Sequence, residues 1–164
     1  MSLDSKSYRK LWGDFATGVT VITTDCGGWL HGMTANGVTS VSLDPLLMLV
    51  CIDKSARCHA QLREAGKFGV SFLAQSQEDV SNLFALGEDP EEGVLRDVAF
   101  HRGPHGTPLI DGSLAHLECF VKEVLPGGDH DIFIGEALGG EILDPEAAPL
   151  IFFRGSYRQL DESP

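Results

Sequence analysis

Residues 38–52 read Val38-Thr39-Ser40-Val41-Ser42-Leu43-Asp44-Pro45-Leu46-Leu47-Met48-Leu49-Val50-Cys51-Ile52. Val38 to Leu43 alternates apolar and hydroxyl side chains, the period of a half-buried strand. Asp44-Pro45 punctuates it, because proline fixes φ and removes a backbone donor. Leu46 to Ile52 is then a continuous apolar run of buried-strand length, which places the centre of a sheet here.

The flanks extend this β reading. Upstream, Val19 to Thr24 is β-branched, Asp25-Cys26-Gly27-Gly28 has turn composition, and Trp29 to Ala35 resumes an extended pattern, so a hairpin is expected. Before it, Tyr8, Leu11, Trp12 and Phe15 recur at i, i+3, i+4 and i+7, which predicts a helix over 6–16 with Gly18 near its end. Downstream, Ser55 can cap a helix through about Glu64 that Gly66 stops, and Phe68 to Leu73 is another strand. A further helix is expected from Ser76, with Asp79 in the capping-box position and Gly87 closing it. Residues 87–113 lack periodicity and read as a long loop with short ordered pieces. Leu114 to Val124, Ile132 to Leu138 and Leu150 to Tyr157 read as strands, with a turn over Leu125 to Asp129. Six to seven strands with three short helices favour a mainly β fold closed into a barrel, since closure removes the sheet edges.

Composition narrows the function classes. At 164 residues the chain suits one domain over 1–164, and 43% hydrophobic with 22% charged residues is ordinary globular usage. No apolar run is long enough to cross a bilayer, and the polar start Met1 to Lys6 lacks a signal core, so a cytoplasmic protein is expected. Twelve basic against twenty-four acidic residues give a net charge of -12, which disfavours nucleic acid and anionic membranes as partners. Cys26, Cys51, Cys58 and Cys119 lack Cys-x-x-Cys spacing and are read as reduced thiols, and the histidines show no ligand spacing, so no metal site is expected. No Gly-x-Gly-x-x-Gly follows a strand, and no Gly-x-Ser-x-Gly or His-Glu-x-x-His occurs, which removes the usual support for Rossmann, serine hydrolase and zinc protease readings.

Three segments could carry chemistry, and each alone also reads as ordinary structure. Met33 to Pro45 crowds short polar residues at a strand junction, where a flat ligand can approach backbone N–H and C=O groups; the plain alternative is a Thr/Ser-rich strand beside an Asn-Gly turn. Asp53-Lys54-Ser55-Ala56-Arg57-Cys58 joins a buried strand to a helix start. First-turn N–H groups, the Ser55 hydroxyl and two cations there would make a phosphate cradle, or only an N-cap with solvated cations. Gly127-Gly128-Asp129-His130-Asp131 sets an imidazole between two carboxylates before an apolar strand, as a ligand, base or substrate contact, or as a plain turn histidine.

Taken in order, these segments resemble the FMN-binding split-barrel flavin reductases, the small partners of two-component monooxygenases. The resemblance rests on Phe15-Ala16-Thr17-Gly18-Val19-Thr20-Val21, on Met33 to Asn36 with Thr39 to Pro45, on Leu117-Glu118-Cys119, on Gly128-Asp129-His130 with Ile134-Gly135-Glu136, and on Arg154-Gly155-Ser156-Tyr157. It covers about residues 8–158. It implies a split β-barrel with peripheral short helices that transfers hydride from NADH or NADPH to FMN or FAD and supplies reduced flavin to a partner monooxygenase. It further implies flavin contacts from Thr34, Ala35, Asn36, Thr39 and Ser40, phosphate contacts from Ser55, Arg57 and Cys58, and others from Ser71, Phe72 and Gln77. Met33, Cys51, Asp53 and Lys54, in the same segments, complete the candidate cofactor-binding set. His130 would sit near the nicotinamide as the candidate catalytic residue. A homodimer is implied, with flavin near the subunit interface and residues 87–113 as a candidate cover. Gly37 stands where Ser is frequent, Cys58 where Thr is and Ser71 where Asn is. An FMN-binding electron carrier of the same fold, or a non-catalytic flavin- or partner-binding module, remains as an alternative.

Overall fold

The computed structural model describes residues 3–86, 95 and 98–160. Its frame is a seven-stranded antiparallel sheet with the spatial order β3-β2-β6-β9-β10-β5-β4. The strands are β2 (Thr20–Cys26), β3 (Trp29–Ala35), β4 (Val38–Leu43), β5 (Leu46–Asp53), β6 (Lys67–Phe72), β9 (Ala115–Gly127) and β10 (His130–Ile142). β3 and β4 lie at opposite edges of this sheet yet are joined through Asn36-Gly37 alone. The three Cα–Cα steps from Ala35 to Val38 span at most about 11 Å, so the sheet must curl until its edges meet. Met33 and Ala35 of β3 accordingly pack in the same core as Val38 of β4. The result is a mainly β split barrel.

Inward residues of the curled sheet, Ile22, Met48, Val50, Ile52, Phe68, Val70, Cys119 and Phe133, fill the barrel, and Cys58 and Leu62 of helix α2 (Arg57–Ala65) join them. Packing is close enough that a Cβ on Gly135 would lie 2.5 Å from the Phe68 ring and 3.0 Å from Cys119 Cβ. That density requires glycine at 135. A second core forms on the outer face of β2. Val21 points into it while its neighbour Ile22 points into the barrel, and Val19, Leu73, Leu95, Ile110 and Leu150 complete it. Helix α3 (Glu78–Ala85) lends Val80 and Phe84 to this core. So do the ribbon of β7 (Phe100–Arg102) with β8 (Pro108–Ile110) and the small sheet of β1 (Thr17–Gly18), β11 (Ile151–Phe153) and β12 (Ser156–Arg158).

Several expectations shift. The apolar run 46–52 is not the sheet's centre, because β5 is second from the edge and β9 is central. An apolar run reports two covered faces rather than central position, and in β5 every second residue is only partly covered by this chain. Asn36-Gly37 is not a hairpin turn, since β3 and β4 do not pair. Helix α1 spans Ser5–Gly13, capped by Asp4, whose carboxylate accepts the Ser7 N–H at 2.7 Å, and it ends at Asp14 rather than near Gly18. Its stripe of Tyr8, Leu11 and Trp12, with Phe15 just beyond, is exposed.

Ser55 does not cap α2. Asp53 Oδ1 instead accepts both its N–H and its hydroxyl at 2.7 Å, and the N-cap is Ala56. Ser76 lies in a short 3₁₀ turn, Gln75–Gln77, before α3 begins at Glu78. Gly87 lies outside the described residues, as do 88–94 and 96–97 of the expected long loop. Its described remainder packs on the chain's own β2 and β6. Residues 150–157 form two strands with a turn at Arg154-Gly155, both at positive φ. The β9–β10 turn is confined to Gly128-Asp129. Among the described residues no helix is long and apolar enough to cross a membrane, and none of the four cysteines is in a disulfide.

Candidate active site

The three chemistry-bearing segments, far apart in sequence, meet around the C-terminal end of β5. Val38 pairs with Val50, and the Cys51 N–H donates to the Gly37 carbonyl at 2.9 Å, which sets Asn36-Gly37 against the strand. His130 pairs with Asp53, and the Lys54 N–H donates to the Asp129 carbonyl at 3.0 Å, which locks the cradle segment to the β9–β10 turn. Gly128 at φ 79°, followed by Asp129 at negative φ, makes the tight turn that brings His130 there.

Each member has a definite setting. Asn36 is exposed and lines a cleft of about 390 Å³ that Thr20, Val38 and Phe72 also border. Thr39 and Ser40 are exposed on edge strand β4, and Ser40 and Phe72 border a second concavity of about 420 Å³ on the outer sheet face. Arg57 is exposed at the start of α2, where the His59 N–H donates to the Ala56 carbonyl at 3.0 Å and the Arg57 and Cys58 N–H groups precede the first intrahelical acceptor. Cys51 is half-buried, and burial raises its thiol pKa, so it stays protonated.

Other candidates turn inward. Met33 and Cys58 face one another in the barrel core, Sγ to Sδ 2.9 Å, so at Cys58 the backbone is what faces outward chemistry. The Thr34 hydroxyl donates to the Ser81 carbonyl at 2.6 Å, and buried Ala35 accepts from the Thr20 hydroxyl at 2.7 Å. Fully buried Ser71 accepts the Ile110 N–H at 3.0 Å. Gln77 accepts from the Ala74 N–H and donates to the Asp111 carbonyl, at 3.0 and 2.9 Å. Ser71 and Gln77 therefore fasten the 110–111 segment to the sheet.

The two carboxylates flanking His130 divide their work. Asp129 Oδ1 lies 2.8 Å from His130 Nδ1, and that hydrogen bond holds the Asp129 carboxyl below its usual pKa. Asp131 turns to the opposite face and is buried. It lies 2.8 Å from His59 Nε2, 3.4 Å from Arg63 and 3.5 Å from Lys54, and the His59 hydrogen bond, with Lys54 nearby, lowers its pKa. Lys54 also donates to the Gly128 carbonyl at 2.6 Å. Bonds from Ser55 likewise lower Asp53. His59 and Arg63 escaped the sequence reading; four residues apart on one helix, they share a face, which was the only signal available.

The donor set suits a flavin mononucleotide unit: the first two N–H groups of α2 and the Arg57 cation for phosphate, and exposed polar strand residues beside a cleft for a flat ring. Comparison with known proteins agrees. Residues 12–161 match the flavin reductase like domain. An NADH-dependent flavin reductase of Rhodococcus sp is 43% identical over 93% of this chain and 85% of its own length. The flavin-dependent monooxygenase reductase subunit HsaB of Rhodococcus jostii is 34% identical over 98% and 80%. The Streptomyces globisporus NADH:FAD oxidoreductase SgcE6, solved in complex with NAD and FAD fragments, superposes with a TM-score of 0.89 at 38% identity, covering 99% of this chain and 98% of that one. The chain therefore belongs to the flavin reductase like domain family.

Proposed function

We propose that this chain is an NAD(P)H:flavin oxidoreductase, with NADH the favoured donor, that supplies reduced flavin to a flavin-dependent monooxygenase component. The observation that carries the reading is the convergence on the end of β5 of Asn36-Gly37, the Asp53–Cys58 turn and His130. The bound flavin supplies the hydride-accepting ring, and the cofactors carry the hard chemistry while the protein supplies position. Arg57 and the first two N–H groups of α2 hold the flavin phosphate, offsetting the acidity of the chain as a whole. Asn36 and the exposed backbone of β4 hold the ring edge, and N–H donors there favour the reduced, more negative flavin. His130, steadied by Asp129, keeps the nicotinamide in line. Met33, Thr34, Ser71, Gln77 and the Cys58 thiol act from behind, by fixing the backbone that the flavin touches.

The exposed stripe of Tyr8, Leu11, Trp12 and Phe15, with Val41, Leu43 and Leu46 at the β4 edge, supports a homodimer whose interface covers apolar surface. A cytoplasmic location suits cysteines that form no disulfide. Steady-state oxidation of NADH and NADPH with FMN, FAD and riboflavin added in turn tests the assignment. Consumption that depends on both protein and flavin is expected, and rates equal to protein-free controls for every pair would refute it.

A further inference from the structure

Gly128 and Asp129 form the two-residue turn between β9 and β10 and lie outside the ladder that pairs those strands. Their carbonyls need donors from elsewhere, and one residue supplies both. The Lys54 N–H donates to the Asp129 carbonyl at 3.0 Å, and the Lys54 ammonium donates to the Gly128 carbonyl at 2.6 Å. Lys54 follows β5 directly, so it fastens the turn from a different part of the chain. The imidazole that the turn carries has little other support: among the described residues the His130 ring bonds only to Asp129, whose side chain is 89% exposed.

A lysine side chain is a flexible stem and does not hold one geometry unaided. Buried Asp131 holds it. Asp131 Oδ1 lies 3.5 Å from the Lys54 ammonium, while Oδ2 meets His59 at 2.8 Å and Arg63 at 3.4 Å. The His59 ring in turn stands edge-on to Phe133 of the barrel core, with 5.3 Å between centroids. Asp131 is thereby anchored to α2 and to the core. Because side chains alternate along a strand, it faces away from His130, and it reaches that residue's side of the sheet only through Lys54 and the turn.

We propose that Lys54 is a positioning residue for hydride transfer: steered by Asp131, it fixes the Gly128-Asp129 turn so that the His130 imidazole stays in line with the nicotinamide. A lysine beside a phosphate cradle would ordinarily be read as a phosphate ligand, but this ammonium is engaged by a carbonyl and a carboxylate. The inference rests on the role given to His130 above.

The test variant is Lys54→Met, which removes the ammonium and keeps the main-chain bond to Asp129; Lys54→Arg is its conservative companion. The limiting rate of flavin reduction by NADH is read by stopped flow in the native and His130→Ala backgrounds, and the backbone order of residues 128–130 by NMR relaxation. Losing one charged hydrogen bond should slow reduction about fivefold and lower the order of the turn, and Lys54→Arg should recover most of the rate. In the His130→Ala background the same substitution should change the rate by less than about twofold, because the group it positions is gone. Equal slowing in both backgrounds would overturn the proposal, all the more if FMN affinity fell relative to riboflavin, since Lys54 would then serve the phosphate. An unchanged rate with an unchanged turn would overturn it as well. Those outcomes leave the role of His130 standing, whereas His130→Ala that reduces flavin at the native rate would remove that role and the proposal together.

Discussion

Replacing His130 by alanine separates a working imidazole from a turn residue. The His130 side chain is 41% exposed, and its one described hydrogen bond runs to Asp129, itself at the surface. Its strand pairing to Asp53 and Gly127 is through the backbone and survives the change. The stability cost should therefore stay within about 0.5 kcal/mol, the ordinary range for surface substitutions. Hydride transfer should suffer more, because a poorly aligned nicotinamide costs on the order of 10- to 100-fold in rate, roughly 1.4–2.7 kcal/mol of barrier. The cradle segment is the strand neighbour of His130, so oxidised-flavin affinity should fall too, by less than the rate. Stopped-flow flavin reduction, with flavin titration and a denaturant curve on the same samples, reads all three. A folded His130→Ala protein that binds flavin and turns over NADH as before would falsify the role.

Three further outcomes follow from the same geometry. Arg57→Ala should weaken FMN about tenfold, the worth of one charge-assisted phosphate contact, and leave riboflavin unaffected; equal losses for both flavins in a titration would remove the cradle. Asp131 has a lowered pKa in the folded state, so its stabilising contribution is complete above the ordinary carboxylate pKa of about 3.9 and disappears as pH falls through the folded value. Asp131→Asn should accordingly flatten the acid limb of stability against pH, and an identical slope in denaturant series across that window would count against it. Light scattering should give twice the chain's 17.7 kDa, and a value equal to one chain at working concentrations would end the homodimer.

What the sequence revealed, and what it hid, follows from the range of the interactions. The β2–β3 hairpin was legible because Gly27 and Gly28, at φ 64° and 93°, take conformations that glycine favours. The Arg154-Gly155 turn was hidden because Arg154, at φ 52°, is not a residue that announces positive φ. The α1 stripe was legible as a helix face but not as an exposed one, since amphipathicity records that a face is covered without recording by what. The site segments were legible one by one; their meeting was not. It depends on the β5–β10 register, a pairing of Asp53 with His130 that no local pattern encodes. For the same reason the spacing left open which aspartate steadies His130, and the strand's alternation decides it, turning Asp131 away toward His59.

The central claim is that this chain brings a reduced nicotinamide and a flavin together for hydride transfer. Anaerobic mixing of the flavin-loaded protein with NADH, followed through the flavin's visible absorbance, measures that step without any oxygenase or oxidant present. Bleaching to the two-electron-reduced flavin, faster than free flavin with the same NADH and saturating in NADH, is the predicted result. A flavin that binds yet is bleached no faster than in protein-free solution would contradict the account.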